Sequence, residues 1–147
     1  HVSPVYRSKH DRQALLDAVN AGHLSICSNH LPQDVASKMA PFATSGKGIS
    51  VLDSFASNLL NLVANKQLTL SAAIKAVSTL PAKQLNIESG AIKVEGVADL
   101  CIAQLNSSVV YTPEDLLSKG INNPWLGQAL MGKIVTTFRA GHIVYQS

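Results

Sequence analysis

The chain has 147 residues, a length that sets the expectation of one compact unit. Apolar residues make up 46% and charged residues 14%, a balance suited to a packed core and opposed to disorder. The net charge of +3 comes from 12 basic and 9 acidic residues that form no stripe, which argues against nucleic-acid binding, and no apolar run approaches the ~20 residues that span a bilayer.

Residues 1–7 read as extended chain, because Pro4 disfavours helix at Ser3. Ser8 is a good N-cap, and Asp11 falls in the first turn, where the helix dipole favours it. Ala14, Leu15, Ala18 and Val19 then form an apolar face at helical spacing, and Gly22 supplies the left-handed residue after the helix. Leu24 to Cys27 is a strand candidate. Ser28 to Gly48 reads as one long irregular loop, and loops of that length are usually functional or mobile. Gly46 and Gly48 read as its hinges.

Ser50 to Ala64 reads as a helix with Val51, Leu52, Phe55, Leu59, Leu62 and Val63 on one face. A second helix is expected from Leu70 to Ser78, ended or redirected by Pro81. From Asn86 onward the pattern changes to strands. Ile92 and Val94 alternate with polar residues, Glu95-Gly96 turns, and Leu100 and Ile102 resume the alternation. Gly120 to Gly132 reads as loop. Lys133 to Tyr145 reads as a hairpin with Ala140-Gly141 at its tip. Helix following strand in the first half suggests parallel βα units, yet two such strands cannot close a sheet. The α/β reading therefore implies further chain or a partner.

Cys27 and Cys101 stand far apart in no CxxC pattern and read as buried thiols of a reduced compartment. The polar, Pro-containing opening does not read as a secretory leader, and a cytoplasmic location is the expectation. His1, His10, His23, His30 and His142 show no metal-ligand spacing. Lys47 lies outside any GxxxxGKS pattern, so no phosphate loop is expected there.

Several segments carry a resemblance. His1-Val2-Ser3-Pro4-Val5-Tyr6-Arg7 is similar to K-V-N-P-P-L-R, and Ile26 to Gln33 to I-A-T-D-H-A-P-H. The helix from Asp11-Arg12 to Leu16 matches D-R-x-A-L. Ala40-Pro41-Phe42, then Gly48-Ile49 and Leu52-Asp53, resemble A-P-F and G-I-x-G-L-E, and Pro81-Ala82 matches N-P-A. Gly90-Ala91-Ile92, Gly96 and Ala98-Asp99-Leu100 follow G-x-I-x-x-G-x-x-A-D-L. Leu117-Ser118-Lys119-Gly120, then Asn123-Pro124-Trp125-Leu126-Gly127, is close to L-S-K-G-x-N-T-P-F-L-G. The chain thus resembles the dihydroorotases of the amidohydrolase superfamily, in order and over essentially its whole length.

The resemblance implies the C-terminal part of a (β/α)₈ TIM barrel with strands of a small β subdomain. Residues 1–85 would form the last two βα units with the Ser28–Gly48 active-site loop, and residues 86–147 the β-rich segment. A whole barrel needs ~250 residues, so the barrel in this chain would be incomplete. Active members of the family use zinc, but their main ligands lie in segments that precede those matched here, and no cofactor is expected in this chain. Asn29 aligns with the catalytic Asp, Gln33 with a substrate-contacting His, and Ser3 with a substrate-binding Asn; Gly48 is a further aligned pocket position. An amide can neither act as a general base nor match a carboxylate as a ligand. The resemblance therefore implies a pseudoenzyme of pyrimidine biosynthesis, partnered with aspartate transcarbamoylase, with an active zinc dihydroorotase, truncated or mutated, as the alternative. Asn29 alone also suits an ordinary turn. The faces left open by an incomplete barrel imply a homo-oligomer.

Overall fold

The computed structural model describes residues 1–147. Helix α1 spans Lys9–Asn20 and opens on Ser8. The Ser8 hydroxyl accepts the Asp11 N–H while the Asp11 carboxylate accepts the Ser8 N–H, a reciprocal capping box. At the other end Gly22, at φ +78°, donates to the Val19 carbonyl and His23 donates to that of Ala18. These paired bonds satisfy carbonyls that the helix end leaves free. The buried residues of α1 are Leu16 and Val19, whereas Leu15 is exposed; the inner stripe is rotated from the expected one.

The Ser28–Gly48 segment is not wholly irregular. A short helix α2 spans Val35–Met39, with the Asp34 carboxylate accepting the Ser37 N–H at its start. Helix α3 spans Phe55–Ala64 and not Ser50–Ala64. Residues 51–54 form a turn that buries Val51 and exposes Leu52, so Leu52 leaves the predicted apolar face.

Pro81 does not end the next helix. Helix α4, Leu70–Ile74, passes into a wide π turn at Lys75–Thr79 and continues as α5, Leu80–Gln84. In the π turn the Leu80 N–H reaches back to the Lys75 carbonyl. The next carbonyl in that register, Ala76, would need the N–H of residue 81, which proline lacks. It accepts the Ile26 N–H instead, at 3.0 Å. A missing donor in the helix thus creates an acceptor for the chain beside it.

The expected strand at Leu24–Cys27 is extended but has no ladder; the Ile26 N–H and the Ser25 hydroxyl, which donates to Gln84 Oε1 at 2.9 Å, link it to the helix layer. A parallel strand needs a neighbour on its hydrogen-bonding edge, and this chain offers only the isolated His30–Ile49 bridge a few residues on. Ile92 and Val94 are likewise unpaired, at 89% and 93% exposure. The Glu95-Gly96 turn does form, closed by the Gly96 N–H on the Lys93 carbonyl.

The strands are β1 (Leu100–Val110), β2 (Ala129–Arg139) and β3 (His142–Gln146), an antiparallel sheet in the order β1-β2-β3. Strand β2 begins inside the segment expected to be loop. The β2–β3 tip is Ala140-Gly141, both at positive φ, the mirror-image turn whose twist suits a tight hairpin. Helix α3 packs on β2. The helix core is Leu16, Val19, Leu68, Ala73 and Ala76, with Ile26, Leu59, Leu62 and Val63 against it. Cys27 and Cys101 are both exposed, contrary to the expectation of buried thiols, because each lies on an extended segment that nothing in this chain covers. No helix is long and apolar enough to cross a membrane.

Candidate functional site

A groove of about 660 Å³ runs between the opening segment, α1 and the loop after Ile26. Ser3, Asn29 and Gly48 line it, together with Leu15, Ile49 and Trp125. Three positions far apart in sequence are therefore brought to one place. Its surface is mostly apolar, and the polar residues that line it include Asn29, Ser28 and the basic Arg7, Lys9 and Arg12.

Asn29 sits at φ +45°, in the left-handed region that Asn and Asp tolerate better than other non-glycine residues. Its Nδ2 donates to the Ser3 carbonyl over a long 3.5 Å. Geometry therefore supports both readings of this residue: it is a turn former, and it presents a neutral amide to the groove.

The next residue is locked. His30 Nδ1 accepts the N–H groups of Val51 at 3.1 Å and Leu52 at 3.0 Å. Two donors on Nδ1 place the ring proton on Nε2. This ties the Asn29 turn to the start of α3, beside the Leu31 N–H on the Ile49 carbonyl. Gly48, at φ +137°, permits that approach, because a Cβ there would collide with the carbonyl of Leu31.

Gln33 does not line the groove. Its Nε2 donates to the Lys47 carbonyl at 3.1 Å, its Oε1 accepts from the Ser37 hydroxyl at 3.4 Å, and its N–H meets Asn122 Oδ1 at 3.2 Å. It closes the loop on itself. Lys38, which the sequence did not single out, does similar work: Nζ donates to the carbonyls of His1 at 3.2 Å and Gly46 at 2.9 Å. Gly46 packs against Gln33 and Ser37 and is held in contact, where a free hinge was expected.

A second polar seam joins the helices to the strands. The Ser50 hydroxyl donates to Ser118 Oγ at 2.7 Å, Asn123 Nδ2 to Ser54 Oγ at 2.9 Å, and Ser57 Oγ pairs with the Tyr111 hydroxyl at 2.9 Å. Asn122 Nδ2 donates to the Gly48 carbonyl at 2.8 Å. Asp53 Oδ1 accepts the Leu117 N–H at 3.0 Å, while its buried Oδ2 has no partner. The sequence signal for this seam was the pair Asn122-Asn123 before Pro124, a turn signature lying within the L-S-K-G…P-W-L-G block.

These loops do not fit a zinc centre by themselves. No three His, Cys, Asp or Glu side chains converge. His30 Nδ1 is already occupied by two amides, and Asn29 offers an amide oxygen where a carboxylate would be the stronger ligand.

The amidohydrolase family model matches residues 2–144. A dihydroorotase from Syntrophus aciditrophicus is 36% identical over 146 residues, covering 99% of this chain and 34% of that protein. A dihydroorotase-like protein from Pseudomonas aeruginosa is 33% identical over 147 residues, covering 99% of this chain and 34% of its own length. Among solved structures, a D-hydantoinase superposes with a TM-score of 0.89 at 18% identity, over 99% of this chain and 34% of that one. The chain thus spans about a third of the length of the curated relatives it matches. The fold is that of a C-terminal portion of an amidohydrolase (β/α)₈ barrel with strands of its β subdomain, and it does not close a barrel alone. Matched along nearly its whole length by that family's model and by dihydroorotase-type relatives, the chain belongs to the amidohydrolase family.

Proposed function

We propose that the chain is part of a dihydroorotase-like protein of pyrimidine biosynthesis that does not catalyse ring closure or opening and serves instead as a structural partner of aspartate transcarbamoylase. The observation that carries this reading is Asn29, which carries a neutral amide and lines the groove at the position that the resemblance aligns with an aspartate. An amide cannot take up the proton that the reaction must move. Gln33, aligned with a substrate-contacting His, is engaged in holding the loop, and Ser3 meets Asn29 through its main-chain carbonyl. Two relatives named dihydroorotase-like protein, from Pseudomonas aeruginosa and Pseudomonas putida, support the dihydroorotase-like part of this reading. The partner subunit is proposed from family resemblance alone.

The test is dihydroorotate turnover by the full-length protein supplied with zinc. No turnover above the uncatalysed rate is expected, together with co-elution with aspartate transcarbamoylase; robust turnover overturns the reading.

The second reading is an active dihydroorotase, favoured by relatives that carry that name, at 36% and 34% identity. It needs another base near Asn29. Asp34 is the acidic residue nearest along the loop, but its carboxylate is engaged in capping α2. If this reading holds, Asp34→Asn abolishes turnover. Hydantoin and allantoin in the same assay separate both readings from other cyclic amidases.

A further inference from the structure

We propose that Asn122 is the positioning residue of this site: it sets the distance between Gln33 and Gly48, the two ends of the loop that follows Asn29. The inference rests on the reading that Ser3, Asn29 and Gly48 mark one pocket, with Gln33 holding the loop beside it.

One side chain makes both attachments. Asn122 Oδ1 accepts the Gln33 N–H at 3.2 Å, and Asn122 Nδ2 donates to the Gly48 carbonyl at 2.8 Å. Its main-chain carbonyl accepts the Ser50 N–H at 3.2 Å, so the segment leaving the loop is held at a second point. That segment is the one on which Asn29 depends. Leu31 bonds to Ile49, and His30 is fixed by Val51 and Leu52. Asn122 lies on the turn before β2, so the strand half of the molecule fixes the geometry of a loop that belongs to the helical half.

The clasp requires close approach, and the neighbouring residue permits it. A Cβ on Gly120 would stand 2.7 Å from Pro32 Cβ, 2.9 Å from Asn122 Oδ1 and 3.0 Å from the Gln33 nitrogen. An alanine at 120 would therefore wedge the clasp open without removing either of its bonding groups. An ordinary surface asparagine would need no such clearance. The side chains nearest to it in shape and length do not do both jobs. Aspartate accepts but cannot donate when ionised, and glutamine is one methylene longer.

The test is amide hydrogen exchange in the full-length protein, residue by residue, for Asn122→Ala, Asn122→Asp and Gly120→Ala. Asn122→Ala is expected to speed exchange at Gln33 and in residues 46–49 by roughly five- to tenfold, the size expected for one lost hydrogen bond. Amides inside α1 should stay as protected as in the parent. Asn122→Asp should restore protection at the Gln33 amide alone, because it keeps the acceptor and loses the donor. Gly120→Ala should reproduce the loop-selective loss, and it keeps the test decisive if Asn122→Ala does not fold. Unchanged exchange in the loop, a uniform loss that includes α1, or an aspartate variant that fails to protect Gln33 would each overturn the proposal. None of these readouts needs turnover, so dihydroorotase activity in the parent would sink the non-catalytic reading and leave the clasp standing.

Discussion

At the scale of single residues, the backbone of Asn29 separates structure from chemistry. The left-handed conformation at φ +45° is open to Asp about as readily as to Asn, but costs other side chains roughly 1 kcal/mol. Asn29→Asp in the full-length protein is therefore expected to leave the unfolding free energy, measured by urea titration, within about 0.5 kcal/mol of the parent, the usual range for a tolerated substitution. Asn29→Ala should lose about 1 kcal/mol by the same measure. That pair of outcomes would show that the backbone at this position accepts a carboxylate as readily as an amide. Two other carboxylates record their surroundings directly. Asp11 is held below its ordinary value of 3.8 by the Ser8 hydroxyl and then the Ser8 N–H. Asp115 is held below the same value by the Thr112 N–H and then its hydroxyl. A depressed folded value means that the unfolded chain takes up the proton first. The stabilisation is complete above the ordinary carboxylate range and drains away as pH falls through and below 3.8. Ser8→Ala should flatten that acid limb in a pH series of thermal melts, and an unchanged limb would show that the capping box does not contribute.

At the scale of elements, the helix from Leu70 to Gln84 shows why pattern reading reached only part of the fold. Propensity treats Pro81 as a stop or a redirection, because it weighs the lost N–H and the clash within one helix. The wide turn at Lys75–Thr79 removes both objections, and the unused Ala76 carbonyl finds the Ile26 N–H on another segment. No local window contains both partners. Pro81→Ala would supply the missing donor to the helix. The expected outcome is faster amide exchange at Ile26 with a net stability change of about 1 kcal/mol or less, since the gained helix bond competes with the lost tertiary one. An Ile26 amide that stays protected would refute this account. Elements with local causes were legible: the Ser8 cap, the Gly22 exit and the Ala140-Gly141 hairpin all appear as read. Those that depend on neighbours were not. Leu24–Cys27 and Ile92–Val94 have strand composition but no ladder, and Leu52 has helical spacing but sits in the preceding turn. The same division holds at the site. Motif flanks led to Asn29, Ser3 and Gly48, which do share a groove. They could not reveal that Gln33 is turned into its own loop, that Lys38 bridges His1 and Gly46, or that Asn122 spans the two halves.

At the scale of the whole molecule, surface area indicates incompleteness. A compact monomer of 15.6 kDa should expose roughly 7,250 Å². This chain exposes 10041 Å² and buries only 17 of its 147 residues. The excess, on the order of 2,800 Å², is the size of an obligate interface and not of a transient one. The 147-residue polypeptide expressed alone should therefore associate at micromolar concentration, and light scattering that finds a stable dilute monomer would contradict this. The form of that association follows from the sheet. Its order leaves β1 with one open edge along Leu100–Val110, on which alternate residues present N–H and carbonyl groups with no partner strand, and Leu100, Ile102 and Leu105 are themselves exposed. Such an edge adds strands without limit of stoichiometry. Expressed alone, the 147-residue chain is therefore expected to pass from solution into cross-β aggregates rather than into a closed dimer, and a polypeptide that pairs with the β1 edge should keep it in solution.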